Sequence, residues 1–241
     1  MKINLKYIIS GTGRCGTVYM ARFFTNIGIN CGHEAIFDNH GLDMALKRIN
    51  GNASIETSHC SRFDLLRSKP IENWFSENNI MAESSYLAAP FLNHSCFSGA
   101  KLIHVVRNPL KVLSSFFLDA KFFDPKSEGQ KPWNSFVYKH MPHIEMEKTI
   151  IEKTCRYIID WNRMIEKSKI EKIKIRIEDY PYDSLAIFLR SNAKIIKNNK
   201  INSWKNREKE LTIFDIPKGK TRDEFVFFMK ENKYTVDMAK I

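Results

Sequence analysis

The sequence predicts an α/β protein, a three-layer α/β/α sandwich around a central, mostly parallel sheet, on three observations. Short apolar runs at residues 5 to 10 (LKYIIS), 80 to 83 (IMAE), 101 to 106 (KLIHVV) and 173 to 177 (IKIRI) alternate with longer segments of helical period. The runs are rich in Ile and Val without strict polar alternation, as strands buried on both faces are. The segments between them have room for the crossover helices, about a dozen residues each, that parallel neighbours require.

Helical patterns fall at 15 to 27, 40 to 49, 85 to 93, 109 to 120, 145 to 168, 182 to 191 and 221 to 232. The fifth is the clearest. Ile151, Cys155, Ile158 and Ile165, with Trp161 alongside, trace one apolar stripe, while Glu147, Lys148, Lys153, Arg156 and Lys167 cover the remaining surface. Residues 119 to 142 contain Pro and Gly together with Phe122, Phe123, Lys126, Lys131, Trp133 and Tyr138. They read as an irregular stretch, longer than most loops, and are expected to form a substrate lid or binding edge.

A chain of 241 residues, 43% of them hydrophobic, can bury one sizeable core, so a single domain over 1 to 241 is expected. No run approaches the roughly 18 consecutive apolar residues of a membrane span, and no export signal is visible, which predicts a soluble cytoplasmic protein without a transmembrane segment. Cys15, Cys31, Cys60, Cys96 and Cys155 are odd in number and form no CxxC pair, which argues against a disulfide framework and suits a reducing compartment. Cys31, His33, His59 and Cys60 match no zinc spacing, and no metal site is expected. The net charge of +11 calls for an anionic partner without separating nucleic acid from a phosphorylated cofactor.

The first strand runs into Gly11, Thr12, Gly13, Arg14, Cys15, Gly16 and Thr17, followed by an apolar-periodic segment containing Val18, Met20, Phe23 and Phe24. Strand, glycine loop and helix make an anion cradle. Glycines admit the anion close to the backbone, and the helix N-terminus offers N–H groups and the positive end of a dipole. Gly11 and Gly16 have the spacing of a Walker A loop, which makes the architecture P-loop nucleotide-kinase-like, but Thr17 stands where the kinase lysine would be. Arg14, inside the loop, can place two donors on neighbouring oxygens. After KLIHVV come Arg107, Asn108 and Pro109, with Pro109 suited to a first helical turn, and Arg107 with Ser115 could hold another phosphate on the same rim as Arg14.

These elements resemble the sulfotransferase family, in which an N-terminal loop holds the 5′-phosphosulfate and an Arg with a Ser eight residues later grips the 3′-phosphate. Two further segments are similar to that family's: Ile175-Arg176-Ile177-Glu178-Asp179-Tyr180, resembling its strand-end R-x-E-D-L signature with Tyr180 for Leu, and Ser203-Trp204-Lys205-Asn206, resembling the C-terminal segment that closes over the nucleotide. The resemblance implies 3′-phosphoadenosine 5′-phosphosulfate as cofactor, bound by Gly11 to Thr17, Arg107, Ser115, Trp204 and Lys205. Arg14 in place of a lysine is similar to bacterial and carbohydrate-acting branches.

The resemblance also places a catalytic base just after the second strand, where Gly32, His33 and Glu34 stand. Glu34 is the first candidate, as a carboxylate of ordinary pKa, and His33 the second. Glu83, Ser84 and Ser85 fall at the same carboxyl edge and are candidate substrate contacts, with a Ser helix cap as the alternative. The implied reaction is in-line attack by an acceptor oxygen or nitrogen on sulfur, with Arg14 and loop amides stabilising the leaving phosphate. A divalent ion is not chemically compulsory, because a sulfuryl group carries less charge than a phosphoryl group. The acceptor is left open among sugar, lipid, peptide and small alcohol. Two other classes compete: a P-loop small-molecule kinase, and a basic nucleic-acid-binding protein using Trp133, Tyr138 and Trp204 beside lysines.

Overall fold

The computed structural model describes residues 5–53, 81–179, 182–190 and 210–236. Five strands form one sheet: β1 (Tyr7–Gly11), β2 (Cys31–His33), β3 (Ala82–Ser84), β4 (Lys101–Val106) and β5 (Lys172–Arg176). Their order is β2-β3-β1-β4-β5, and every neighbouring pair is parallel. The predicted α/β class holds. KLIHVV is a strand from its first residue to its last, and the other predicted runs shift by one or two residues.

Seven α-helices accompany the sheet: α1 (Thr17–Asn26), α2 (Leu42–Ile49), α3 (Pro109–Ser114), α4 (Lys131–His140), α5 (Ile150–Glu166), α6 (Tyr182–Leu189) and α7 (Lys220–Glu231), counted among the described residues. The pattern at 85 to 93 becomes a 3₁₀ stretch, Tyr86–Phe91, since Pro90 inside it removes a donor and crowds the preceding turn. The pattern at 109 to 120 starts as α3 and widens into a π turn over Ser115–Ala120.

One expectation is corrected. The irregular stretch 119 to 142 contains α4, with Pro132 in its first turn and Trp133, Phe136 and Val137 on its buried face. The segment before it is pinned. Lys121 and Phe123 adopt positive φ angles of 50° and 60°, the Phe123 amide donates to Asn134 Oδ1 at 3.2 Å, and the Phe123 ring meets Trp133 at 5.1 Å. A phenylalanine in the left-handed region is strained, so surrounding contacts must hold it.

The chain divides into two compact units, residues 1–106 with 165–204 and residues 107–164 with 205–241. The first carries the sheet. On one face Ile9, Ile103, Val105 and Ile175 pack with Met20, Phe23 and Phe24 of α1 and Leu185, Ala186 and Leu189 of α6. On the other face Ile8, Ser10, Leu102, His104 and Val106 are buried as well, which explains why these strands show continuous apolar runs. Each large side chain removed from water here contributes about 1.5–3 kcal/mol.

The second unit is helical and aromatic. Tyr157 and Trp161 of α5 lie 5.0 Å apart, and Tyr157 also meets Phe116 at 5.4 Å and Trp133 at 5.2 Å. At its edge Arg156 of α5 pairs with Glu147 at 3.0 Å and with Glu224 of α7, joining two helices by charge-assisted hydrogen bonds.

The turn from β1 into α1 is fixed from outside. Gly16 caps α1 with φ 111°, and a Cβ there would run into Cδ1 of Ile177, just beyond β5. Gly16→Ala should therefore lower stability by about 1–3 kcal/mol in urea denaturation. Adding Ile177→Ala should make the pair less destabilised than the sum of the two single variants, because the steric part of the alanine's cost disappears.

Candidate functional site

The carboxyl ends of β1, β2 and β3 converge on one set of polar side chains within the sheet unit. β1 ends at Gly11, the loop occupies 12 to 16, and α1 starts at Thr17. The first turn of α1 has neither an acidic residue nor a side-chain cap, which suits its positive end to an anion. Thr12 and Cys15 are buried, and the Cys15 amide donates to the Thr12 carbonyl at 3.3 Å. Arg14 stands exposed in the left-handed region, φ 64°, at the tip of the turn.

The loop is joined to the two candidate bases through Thr17. His33 Nε2 lies 3.2 Å from Thr17 Oγ1 and 3.5 Å from Glu34 Oε1. From β3, Ser84 Oγ donates to the Thr17 carbonyl at 2.8 Å. Glu34 itself takes φ 51° as the chain leaves β2, and its amide donates to the Ser84 carbonyl at 3.2 Å. Thr17, His33 and Glu34 thus lie in a chain of polar contacts at the carboxyl edge of the sheet.

The ordinary carboxylate expected of Glu34 is corrected. Burial first, then the charges of Glu83 and Asp38, raise its pKa from 4.5 to about 8. It holds its proton at neutral pH and becomes a comparatively strong base once ionised.

Glu83, Ser84 and Ser85 are fully buried, and their side chains serve the protein interior rather than facing an acceptor. Glu83 Oε1 accepts from the amides of Ile36 at 2.9 Å and Phe37 at 3.4 Å. Ser85 Oγ donates to the Phe37 carbonyl at 2.8 Å and accepts from the Leu87 amide at 3.1 Å, so Ser85 does cap the 3₁₀ turn.

Two residues of this edge were not singled out from the sequence. Arg48 of α2, 2% exposed, donates to the Ile36 carbonyl and to Asp38 Oδ2, each at 2.9 Å. Burial would raise the Asp38 pKa, but hydrogen bonds from Arg48 and His40 overcome it and hold the carboxyl below its usual value. The available signal was a cation on the buried side of α2, which Arg48 shares with Ala45 and Ile49.

Gly11 pairs in register with Val105 of β4, so β4 ends beside the glycine turn that follows β1. In the helical unit Asn108 caps α3 by accepting from the Leu110 amide at 3.0 Å, with Pro109 at the first helical position as expected. Ser115 is buried and its hydroxyl reaches Asp119 Oδ2 at 3.4 Å. Arg176 pairs with Asp179 at 3.0 Å. Tyr180, Trp204 and Lys205, like His59 and Cys60, lie outside the described residues.

The raised Glu34 pKa fixes a stability trend. A carboxyl that holds its proton more tightly when folded adds stability below its unfolded value near 4.5, and that stability is lost as pH rises toward about 8. The melting temperature of the wild type should therefore decline from pH 5 to pH 8.5, and Glu34→Gln should flatten the decline in scanning calorimetry.

No family model and no curated protein matches the chain. Among solved structures it is similar to a sulfotransferase from Alicyclobacillus acidocaldarius, at 11% identity over 83% of this chain and 87% of that one, with a TM-score of 0.43. Among the described residues no helix is long and apolar enough to cross a membrane.

Proposed function

We propose that this chain is a sulfotransferase that moves the sulfuryl group of 3′-phosphoadenosine 5′-phosphosulfate to a hydroxyl or amine of an acceptor. One observation carries the reading: the Gly11–Thr17 turn meets, through Thr17, the His33–Glu34 pair, so a candidate anion cradle and a candidate base share one sheet edge.

The residues fit such a cofactor. The N-terminus of α1 lacks an acidic side chain that would repel a phosphosulfate, and Arg14 is exposed at the tip of the turn. When bound, the cofactor supplies a sulfuryl group attached to a phosphate leaving group. The loop from Gly11 to Thr17 would hold the 5′-phosphosulfate, and the resemblance assigns the 3′-phosphate to Arg107 and Ser115 and the closing contact to Trp204 and Lys205.

Glu34, once ionised, accepts the proton of the acceptor hydroxyl as the oxygen approaches sulfur. Arg14 and the α1 N-terminus offset the charge that gathers on the departing phosphate. His33, within reach of both Thr17 and Glu34, orients the carboxyl relative to the loop. No step calls on the lysine that a kinase loop would place at position 17.

Arg14→Ala should reduce turnover by about 10²–10³-fold, the range for removing one donor to developing charge. Glu34→Gln should reduce it by about 10²–10⁴-fold while leaving affinity for adenosine 3′,5′-bisphosphate unchanged. For the wild type the rate should climb with pH through the Glu34 value of about 8. Calorimetric titration with adenosine 3′,5′-bisphosphate in a chelating buffer should give saturable binding. Magnesium-dependent ATP binding in its place would favour a kinase and overturn the proposal.

A further inference from the structure

We propose that Glu83, buried beneath the loop that follows β2, is the positioning residue for the catalytic base: its carboxylate clamps the amides of Ile36 and Phe37 and thereby fixes where Glu34 presents its own carboxyl. The inference rests on the reading of Glu34 as the base.

The geometry begins with register. Glu83 pairs with Gly32 across β2 and β3, and a Cβ on Gly32 would run into Oε2 of Glu83, so glycine makes the seat in which the carboxylate lies. From that seat Oε1 takes two loop amides, and the next residue along β3 takes a third through its carbonyl, from Glu34. Residues 34, 36 and 37 are therefore all anchored on positions 83 and 84. With its amide held this way and φ at 51°, the Glu34 Cα–Cβ direction is fixed, and its carboxyl lies 3.5 Å from His33 Nε2.

A glutamine oxygen could accept the same two amides, so the bonds alone do not explain a carboxyl at this position. Among the described residues Glu83 Oε2 is fully buried without a hydrogen-bond partner. A buried carboxyl without donors on one oxygen is costly to ionise, and burial, opposed by the Ile36, Phe37 and Ala35 amides and by Arg48, leaves the Glu83 pKa raised to about 7. Its charge in turn is one of the causes that raise Glu34. The groups around Glu34 are His33 from β2, Glu83 from β3, and Asp38 from the loop itself. Asp38 is matched by Arg48 of α2 and by His40. Glu83 adds its charge to the repulsion that raises Glu34 while holding the amides that place the loop, so it both positions the base and tunes it.

The test compares Glu83→Gln, Glu83→Ala and Gly32→Ala. Glu83→Ala should lower turnover by about 10²-fold at every pH, as misplacing a base does, with affinity for adenosine 3′,5′-bisphosphate retained. Glu83→Gln should recover much of that loss and move the rising limb of the pH–rate profile downward by about one unit, because the acceptor for the amides returns without the charge. The same downward movement should appear in the Glu34 carboxyl resonance, followed by NMR of 13C-labelled protein. Gly32→Ala, which displaces the Glu83 carboxylate without altering either acid, should perturb the same resonance. If Glu83→Gln leaves both the limb and the resonance where they are, the inference is wrong. Should that variant fail to fold, Gly32→Ala decides by the same resonance, and an unmoved signal overturns the proposal. If the wild type transfers no sulfuryl group at all, the proposed function fails, while the Glu34 titration still tests the coupling by itself.

Discussion

A carboxylate with no access to water organises the candidate site. Burying Glu83 at the end of a central strand is costly unless donors are brought to it, and amides of the segment following β2 supply them. The chain must therefore fold back over β3 within a few residues of His33, which forces the left-handed turn at Glu34 and the glycine at position 32. Arg48 of α2 closes the same loop through Asp38, and because Arg48 is itself buried, each depends on the other.

That loop matters because it meets the glycine turn after β1. Thr17 is the shared residue: its hydroxyl faces His33, its carbonyl takes the Ser84 hydroxyl, and it is the first residue of α1. In the proposed reading, an anion at the helix N-terminus and a proton acceptor at Glu34 would be held in fixed relation by a strand–helix junction rather than by a free loop. Rigid support of this kind is what positional catalysis requires, since a displacement near 1 Å can cost about 10²-fold in rate.

Much of this was legible from residue order. KLIHVV marked β4 to the residue because both faces of a parallel strand are buried, and Gly11 to Thr17 marked the turn because only glycine fits at Gly16 against Ile177. The helix Lys131–His140 was missed, although Pro132 followed by Trp133, Phe136 and Val137 has helical spacing; the nearby Pro and Gly residues masked it. The roles of Glu83 and Arg48 were hidden for another reason. Glu83 was read as a candidate substrate contact and Arg48 was not singled out, and only the packing reveals that both side chains are buried. The environment of Glu34 was equally hidden, since its raised pKa comes from desolvation and from two acids four and 49 positions away in the chain.

A crystal structure of the protein with adenosine 3′,5′-bisphosphate tests the central claim most directly. The account predicts the 5′-phosphate on the Gly11–Thr17 turn within reach of Arg14, with the Glu34 carboxyl facing the position that sulfur would occupy. A nucleotide seated away from that turn, or with Glu34 turned from it, would contradict the account.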